Sequence, residues 1–184
     1  MNPAIGIGIV FGAVLAFSIW KTARAVVDLN YTITRFGIYS ISKDGVTLRL
    51  QIRFTNPRDT YLTVNLVDLA AYLNSNTTTD NNGKLQVVSR GDLLSQYVDA
   101  SGFVINPNNF TTKNFKFVVR WADLGRLLFN NASAVINAFT NSSSLSQVIS
   151  AIIGRNVLIY GLVKAENVVV DIASVTNIID ERTA

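Results

Sequence analysis

Cysteine and histidine are both missing from this 184-residue chain. Without cysteine there is no disulfide framework, no thiolate metal site and no thiol nucleophile. Without histidine the chain lacks the commonest general base and the commonest transition-metal ligand. Charge is scarce too: Asp, Glu, Lys and Arg make up 15% of the residues, against about a quarter in an ordinary soluble domain. The remaining polarity comes from Asn, Ser and Thr, a surface that suits packing against neighbours as well as it suits water. The formal charge of +4 is modest, and the 16 Lys and Arg are scattered with no run of five. A clustered basic stripe, the usual footprint of nucleic-acid binding, is therefore absent from the sequence, and no nucleic-acid partner is expected.

What the chain does have begins at its amino terminus. Residues 4–20, "AIGIGIVFGAVLAFSIW", carry no charge, and Ser18 is their one polar side chain. As a helix they would span roughly 26 Å at about 1.5 Å per residue, close to the ~30 Å hydrocarbon core of a bilayer. The lack of a polar face argues against a buried core helix. The lack of Lys or Arg before the run, and of an A-x-A cleavage site, argues against a cleaved signal peptide. The expectation is a single-pass anchor in which Ile5, Ile7, Ile9, Val10, Phe11, Val14, Leu15 and Phe17 meet lipid. Trp20 then sits at the interface and Lys21 snorkels. Gly8 and Gly12 form a G-x-x-x-G pair that allows two such helices to self-associate. Lys21, Arg24 and Arg35 follow the run, which places the next domain on the cytoplasmic side or inside an enclosed particle.

After residue 29 the pattern changes to that of a sheet. Tyr31–Ile41 is rich in β-formers, and Asp44-Gly45 is a turn signal between two such runs. In "VTLRLQIRFTNPRD", Val46, Leu48, Leu50, Ile52 and Phe54 point one way, and Thr47, Arg49, Gln51, Arg53 and Thr55 the other. Pro57 lacks an amide donor and ends the ladder. A further strand is expected in "TYLTVNLVDLAAYLN", with Leu62, Val64 and Leu66 inward. An exposed polar loop follows at 74–83, then a short strand "KLQVVSR". "FVINPNNFTTKNFKFVVRW" reads as a turn and a strand with Phe115, Phe117, Val119 and Trp121 on one face. Short helices are expected within 122–153, and strands in "RNVLIYGLVKA" and "NVVVDIAS". The fold class is mainly β, an immunoglobulin/fibronectin-like β-sandwich with short inserted helices behind a transmembrane helix. The organisation is anchor and extension at 1–29, sandwich at 30–176 and a peripheral tail at 177–184.

Val46–Asn74 resembles the group 2 late embryogenesis abundant domain, also called the water-stress and hypersensitive-response domain. The likeness rests on a long alternating strand, Asn56-Pro57, and a second apolar strand ending near "AAYLN". It continues through "FVINPNNFTTKNFKFVV" and "VLIYGLVKAENVVVDI", with Gly161 where that family commonly has glycine. Roughly residues 36–172 are covered. The resemblance implies a small sandwich, often membrane-tethered, with no catalytic activity and no established cofactor. The stretches 74–83 and 122–153 look longer than that core requires, and are candidate sites for contacts special to this protein.

Catalytic motifs are weak. Ser40-Ile41-Ser42-Lys43 matches S-x-x-K, but it lies at a strand end and neither S-D-N nor K-T-G occurs. Asp180-Glu181 falls in the tail, away from the burial that tunes an acid/base pair. Asp80-Asn81-Asn82-Gly83 reads as a turn rather than an ion site. Several N-x-[ST] triplets follow cheaply from a composition rich in Asn, Ser and Thr. No catalytic, cofactor or metal residue is assigned. Arg49 and Arg53 could meet phosphate headgroups or an acidic protein, the bland reading being a solvated sheet face. Asn76, Asn82, Arg126 and Asn130 are the further candidate surface contacts, in the two longer stretches. The expected function is a non-enzymatic, membrane-anchored structural or adaptor protein, with a virion component joining lipid to capsid proteins as one setting. The alternative is a cell-envelope binding module holding a lipid or other apolar ligand within the sandwich.

Overall fold

The computed structural model describes residues 29–73, 75–81, 83–130, 156–165 and 168–180. The anchor segment 4–20, with Gly8, Gly12, Trp20 and Lys21, and the carboxyl-terminal part of 122–153 lie outside them. Among the described residues no helix is long and apolar enough to cross a membrane.

The chain is mainly β. In chain order the strands are β1 (Asn30–Ile41), β2 (Gly45–Asn56), β3 (Leu62–Leu73), β4 (Asn76–Thr79), β5 (Leu85–Ser89) and β6 (Asp92–Asp99). They continue with β7 (Phe103–Ile105), β8 (Asn109–Arg120), β9 (Val157–Ala165), β10 (Val168–Thr176) and β11 (Ile179–Asp180), and a helix α1 (Trp121–Asn130) follows β8. One sheet has the order β11-β1-β2-β8. A second has β10-β9-β3-β6, with β7 pairing β3, and β4-β5 form a separate hairpin. The inner faces of the two large sheets share one apolar core, an arrangement compatible with a β-sandwich.

Alternation decides the core face. Val46, Leu48, Leu50, Ile52 and Phe54 in β2 are fully buried, and Arg53 on the other face is exposed. In β8 the same alternation buries Phe115, Phe117 and Val119. Aromatic rings interlock between the sheets: Tyr97 of β6 lies 5.4 Å from Phe115 and 6.2 Å from Phe117, and Phe54 lies 5.5 Å from Phe103 of β7. The sheets are also tied along both edges. The Tyr31 hydroxyl accepts from the Ala173 amide at 3.0 Å and donates to its carbonyl at 3.3 Å, and the Ser95 hydroxyl donates to the Val118 carbonyl at 3.0 Å.

Several expectations are corrected. Leu66 does not point inward: a register shift between Val64 and Leu66 against β9 swaps the faces, so Val67, Leu69, Ala71 and Leu73 are buried instead. Trp121 leaves the β8 alternation and opens α1, 37% exposed, with its indole N–H donating to the Ser42 carbonyl at 3.0 Å. The segment 74–83 is not a plain loop, because Asn76–Thr79 pairs with β5. The tail is not wholly peripheral, because Ile179 pairs in parallel with Gly37 of β1. Strand β6 went unassigned in the sequence, since "DLLSQYVD" buries only Leu94 fully.

Candidate functional site

The Asn56-Pro57 signal has a definite structural basis. Both β2→β3 and β7→β8 cross from one sheet to the other, and Asn56 stands between the two crossings. It is the buried polar side chain of the described core, with no exposed surface. Its amide donates to the Thr60 carbonyl at 2.7 Å and, more weakly, to the Asn106 carbonyl at 3.4 Å. Its carbonyl oxygen accepts from the Arg58 amide at 3.2 Å, an Asx turn. The Asn108 amide closes the clamp on the Arg58 carbonyl at 2.8 Å, from a left-handed φ of 48° that Asn tolerates. This is the end at which the chain arrives from residues 1–28, since Asn30 pairs with Thr55.

The opposite strand ends carry the long stretches. Hairpin β4-β5 follows β3 at its end away from Asn56, and α1 follows β8 at its end away from Asn56. In the hairpin loop the Asp80 carboxylate accepts from the Lys84 amide at 2.8 Å, and the Gly83 amide donates to the Asp80 carbonyl at 3.0 Å. Asp80 thus caps a turn. Asn76 is exposed at the start of β4, and Arg126 is exposed on α1. Asn82 lies outside the described residues, and Asn130 is the last residue of α1.

The outer face of the first sheet brings Arg49 and Arg53 together with residues the sequence left apart. The Thr34 hydroxyl donates to Gln51 Oε1 at 2.9 Å, and Gln51 Nε2 donates to Asn114 Oδ1 at 3.1 Å, a polar ladder across β1, β2 and β8. Arg49 and Lys116 stand 4.9 and 5.0 Å from the centre of the Tyr39 ring, and Arg53 stands 4.4 Å from that of Phe110. The scattered cations of the sequence therefore do form a cluster in space. Sequence reasoning missed Lys116, Tyr39 and Phe110 because their strands meet only through the β1-β2-β8 pairing.

The second sheet has a shallow polar concavity of about 270 Å³ on its outer face, lined by Asp68, Tyr72, Arg90, Gln96, Tyr160 and Asp171 among others. Gln96 Nε2 donates to Asp68 Oδ1 at 2.8 Å. The Arg90 guanidinium lies 4.3 Å from the Tyr160 ring centre. Hydrogen bonding to Tyr160 first, and to Tyr72, raises its pKa above the ordinary arginine value. An arginine stays charged at any ordinary pH, which suits holding an anion better than moving a proton. Gly161 lies in the floor for a packing reason: a Cβ there would stand 2.0 Å from the Asp68 carbonyl oxygen of the neighbouring strand.

Asp99 accepts from the Ser101 amide at 2.8 Å and the Tyr97 hydroxyl at 3.2 Å. The Ser101 side chain first, then its amide, holds the Asp99 carboxyl below the usual carboxylate range, and burial together with that charge pushes the Tyr97 phenol up. Ser40 lies in β1 opposite Thr47 and Lys43 lies in the following turn, so S-x-x-K does not open a helix. Among the described residues no group of three or more Asp or Glu is placed to hold a metal ion.

No protein-family model matches the chain, and no curated protein does. Among solved structures it is similar to one described as a protein from Archaeoglobus fulgidus, at 10% identity over 80% of this chain and 90% of that one. The TM-score of that likeness is 0.45, too low to assign fold or function.

Proposed function

We propose that this chain is a non-enzymatic, membrane-anchored structural or adaptor protein. Residues 4–20 hold an immunoglobulin/fibronectin-like sandwich of the group 2 late embryogenesis abundant kind at a bilayer, and the domain works through contacts. The observation that carries this reading is the polarity of the domain. The chain arrives at Asn30, beside the Asn56 clamp, whereas β4-β5 and α1 leave their strands at the ends away from it. The anchor joins at one end of the strands and the candidate partner surfaces leave from the other, a separation that suits an adaptor. Phe54, Tyr97, Phe103, Phe115 and Phe117 interlock between the sheets among the described residues, which favours contact over storage of an apolar ligand.

Deleting residues 1–21 tests the anchor. The full chain should stay with membranes through alkaline extraction, and the shortened chain should be released as a folded, soluble domain. Undiminished membrane association of the shortened chain would remove the anchor as the main attachment. Imaging in the native membrane or particle tests the adaptor role and separates a cell envelope from a virion with capsid partners. Hairpin β4-β5 or the stretch 122–153 should meet another chain across more than about 800 Å² of total buried surface. Both standing free in solvent would remove this partner surface. Turnover by the purified domain, abolished by substituting one carboxylate or Ser40, would defeat the non-enzymatic reading.

A further inference from the structure

Strands β1, β2 and β8 contain no Asp or Glu at all. Their pairing places Arg35, Arg49, Arg53, Lys116 and Arg120 on one outer face. Five of the chain's 16 Lys and Arg share one face of three strands that hold none of its 12 Asp and Glu. A chain of modest net charge thus keeps one strongly basic sheet face. The rings on it are exposed, Tyr39 by 42% and Phe110 by 52%, and both lie beside cations. Cations with amphipathic rings suit the headgroup zone of a bilayer, where rings settle at the interface and Lys or Arg meet phosphate.

We infer that the outer face of β1-β2-β8 lies flat against anionic lipid headgroups of the membrane that carries the anchor. The inference rests on the anchor proposed above. Residues 21–29 reach at most about 30 Å even when fully extended, and they lead directly into β1 of this sheet. Docking is then intramolecular, at high effective concentration. The charges act only at close range, since screening at physiological salt has a length of about 8 Å. The cations run along the strands, with Arg53 near the Asn30 end and Lys116 and Arg120 towards the other, so the whole face must come down to engage them. The outer face of the opposite sheet mixes Asp68 and Asp171 with Arg90 and Lys164, so it lacks the one-sided charge of the β1-β2-β8 face.

The absence of cysteine makes the test direct, because one introduced cysteine gives a unique label. Full-length chain is reconstituted into vesicles of phosphatidylcholine alone or with phosphatidylserine. A fluorophore is placed at Thr112→Cys on the basic face or at Val98→Cys, 59% exposed on the other sheet. Quenching by headgroup-labelled lipid should be strong at residue 112, require phosphatidylserine, fade at high salt and be weak at residue 98. Arg53→Gln and Lys116→Gln should each lower the docking equilibrium about fivefold. Equal quenching at both labels, or indifference to phosphatidylserine, overturns the inference. So does a basic face that ignores lipid but is protected by added single-stranded oligonucleotide. Flotation with neutral vesicles reports the anchor separately. If it fails there, the anchor falls, and the face is judged by flotation on phosphatidylserine vesicles: binding lost in the two Gln variants supports it, and no binding overturns it.

Discussion

Replacing Asn56 by Ala should destabilise the fold far more than one polar side chain suggests. The substitution removes three hydrogen bonds from a site with no exposed surface, at 2.7, 3.2 and 3.4 Å, leaving the Thr60 and Asn106 carbonyls and the Arg58 amide to find other partners. A net hydrogen bond is worth about 0.5–1.5 kcal/mol, and a buried group left unpaired costs about 1–3 kcal/mol. The longest bond counts at the bottom of its range, and the Arg58 amide lies near enough the surface to recruit water. The expected loss is about 2–4 kcal/mol, which for a chain of this size corresponds to roughly 4–16 °C in Tm. Urea and thermal unfolding in non-ionic detergent, followed by circular dichroism, would read it. Asn56→Asp supplies the sharper control. It keeps the acceptor for Arg58 but turns a carboxylate towards two carbonyls, so its folded-state pKa should be raised. The variant should then lose stability as pH rises through and above the ordinary carboxylate range, and recover towards acid. An Asn56→Ala loss below about 0.5 kcal/mol, or an Asp variant without that pH dependence, would refute the view that this amide holds the two crossings together.

The core register predicts that Leu50→Ala costs about 2–5 kcal/mol, whereas Gln51→Ala, which loses only an exposed ladder, costs less than about 1 kcal/mol; equal unfolding midpoints would contradict the burial. Gly161→Ala places a Cβ 2.0 Å from the Asp68 carbonyl oxygen and should cost about 3 kcal/mol or more. Gly125→Ala in α1 meets nothing within 4 Å and should instead stabilise by about 0.5–1 kcal/mol, both read by thermal melts. Asp99→Asn removes a charge that helps hold the Tyr97 proton, so the Tyr97 phenol should ionise at lower pH in the variant, read by absorbance titration. In the unsubstituted chain, the stability contributed by the lowered Asp99 carboxyl is present above its unfolded value and fades as pH falls through the folded one.

The strands that were legible in the sequence are those that alternate without interruption. β2 and the core half of β8 bury every second residue, so period two alone gave their faces. β3 was legible only to Val64, because the bulge beyond it is a pairing event with β9, ninety-odd residues away, and leaves no local mark. Trp121 continued the β8 alternation on paper, yet its indole finds the Ser42 carbonyl across the sheet end, and α1 begins there. β6 was missed because it is an edge strand: Leu93 and Val98 are exposed, so its apolar residues do not mark one face. The Asn56-Pro57 signal was visible as a strand end, but its role as a clamp depends on the Asn106 loop some fifty residues later.

The same topology explains why composition understated the charge. β1 and β2 are joined by the short Asp44-Gly45 turn, whereas β8 returns to β2 only after the chain has built most of the second sheet. Lys116 and Arg120 are therefore remote from Arg49 and Arg53 in sequence but lie on the adjacent strand in space, with Lys116 directly opposite Arg49. A linear search for basic runs cannot find a stripe assembled in this way; a count by sheet face can. Clustering like charges on adjacent strands also costs stability, since cations directly opposite repel by a few tenths of a kcal/mol to about 1 kcal/mol. Here Tyr39 receives both Arg49 and Lys116 on its ring, and the Thr34-Gln51-Asn114 ladder replaces charge with neutral hydrogen bonds in the next row. If the face served only to meet water, exchanging Lys116 for Glu should stabilise the domain by pairing it with Arg49. If the face serves an anionic surface, that same exchange should stabilise the fold and weaken membrane docking together, and measuring both in one variant separates the two roles.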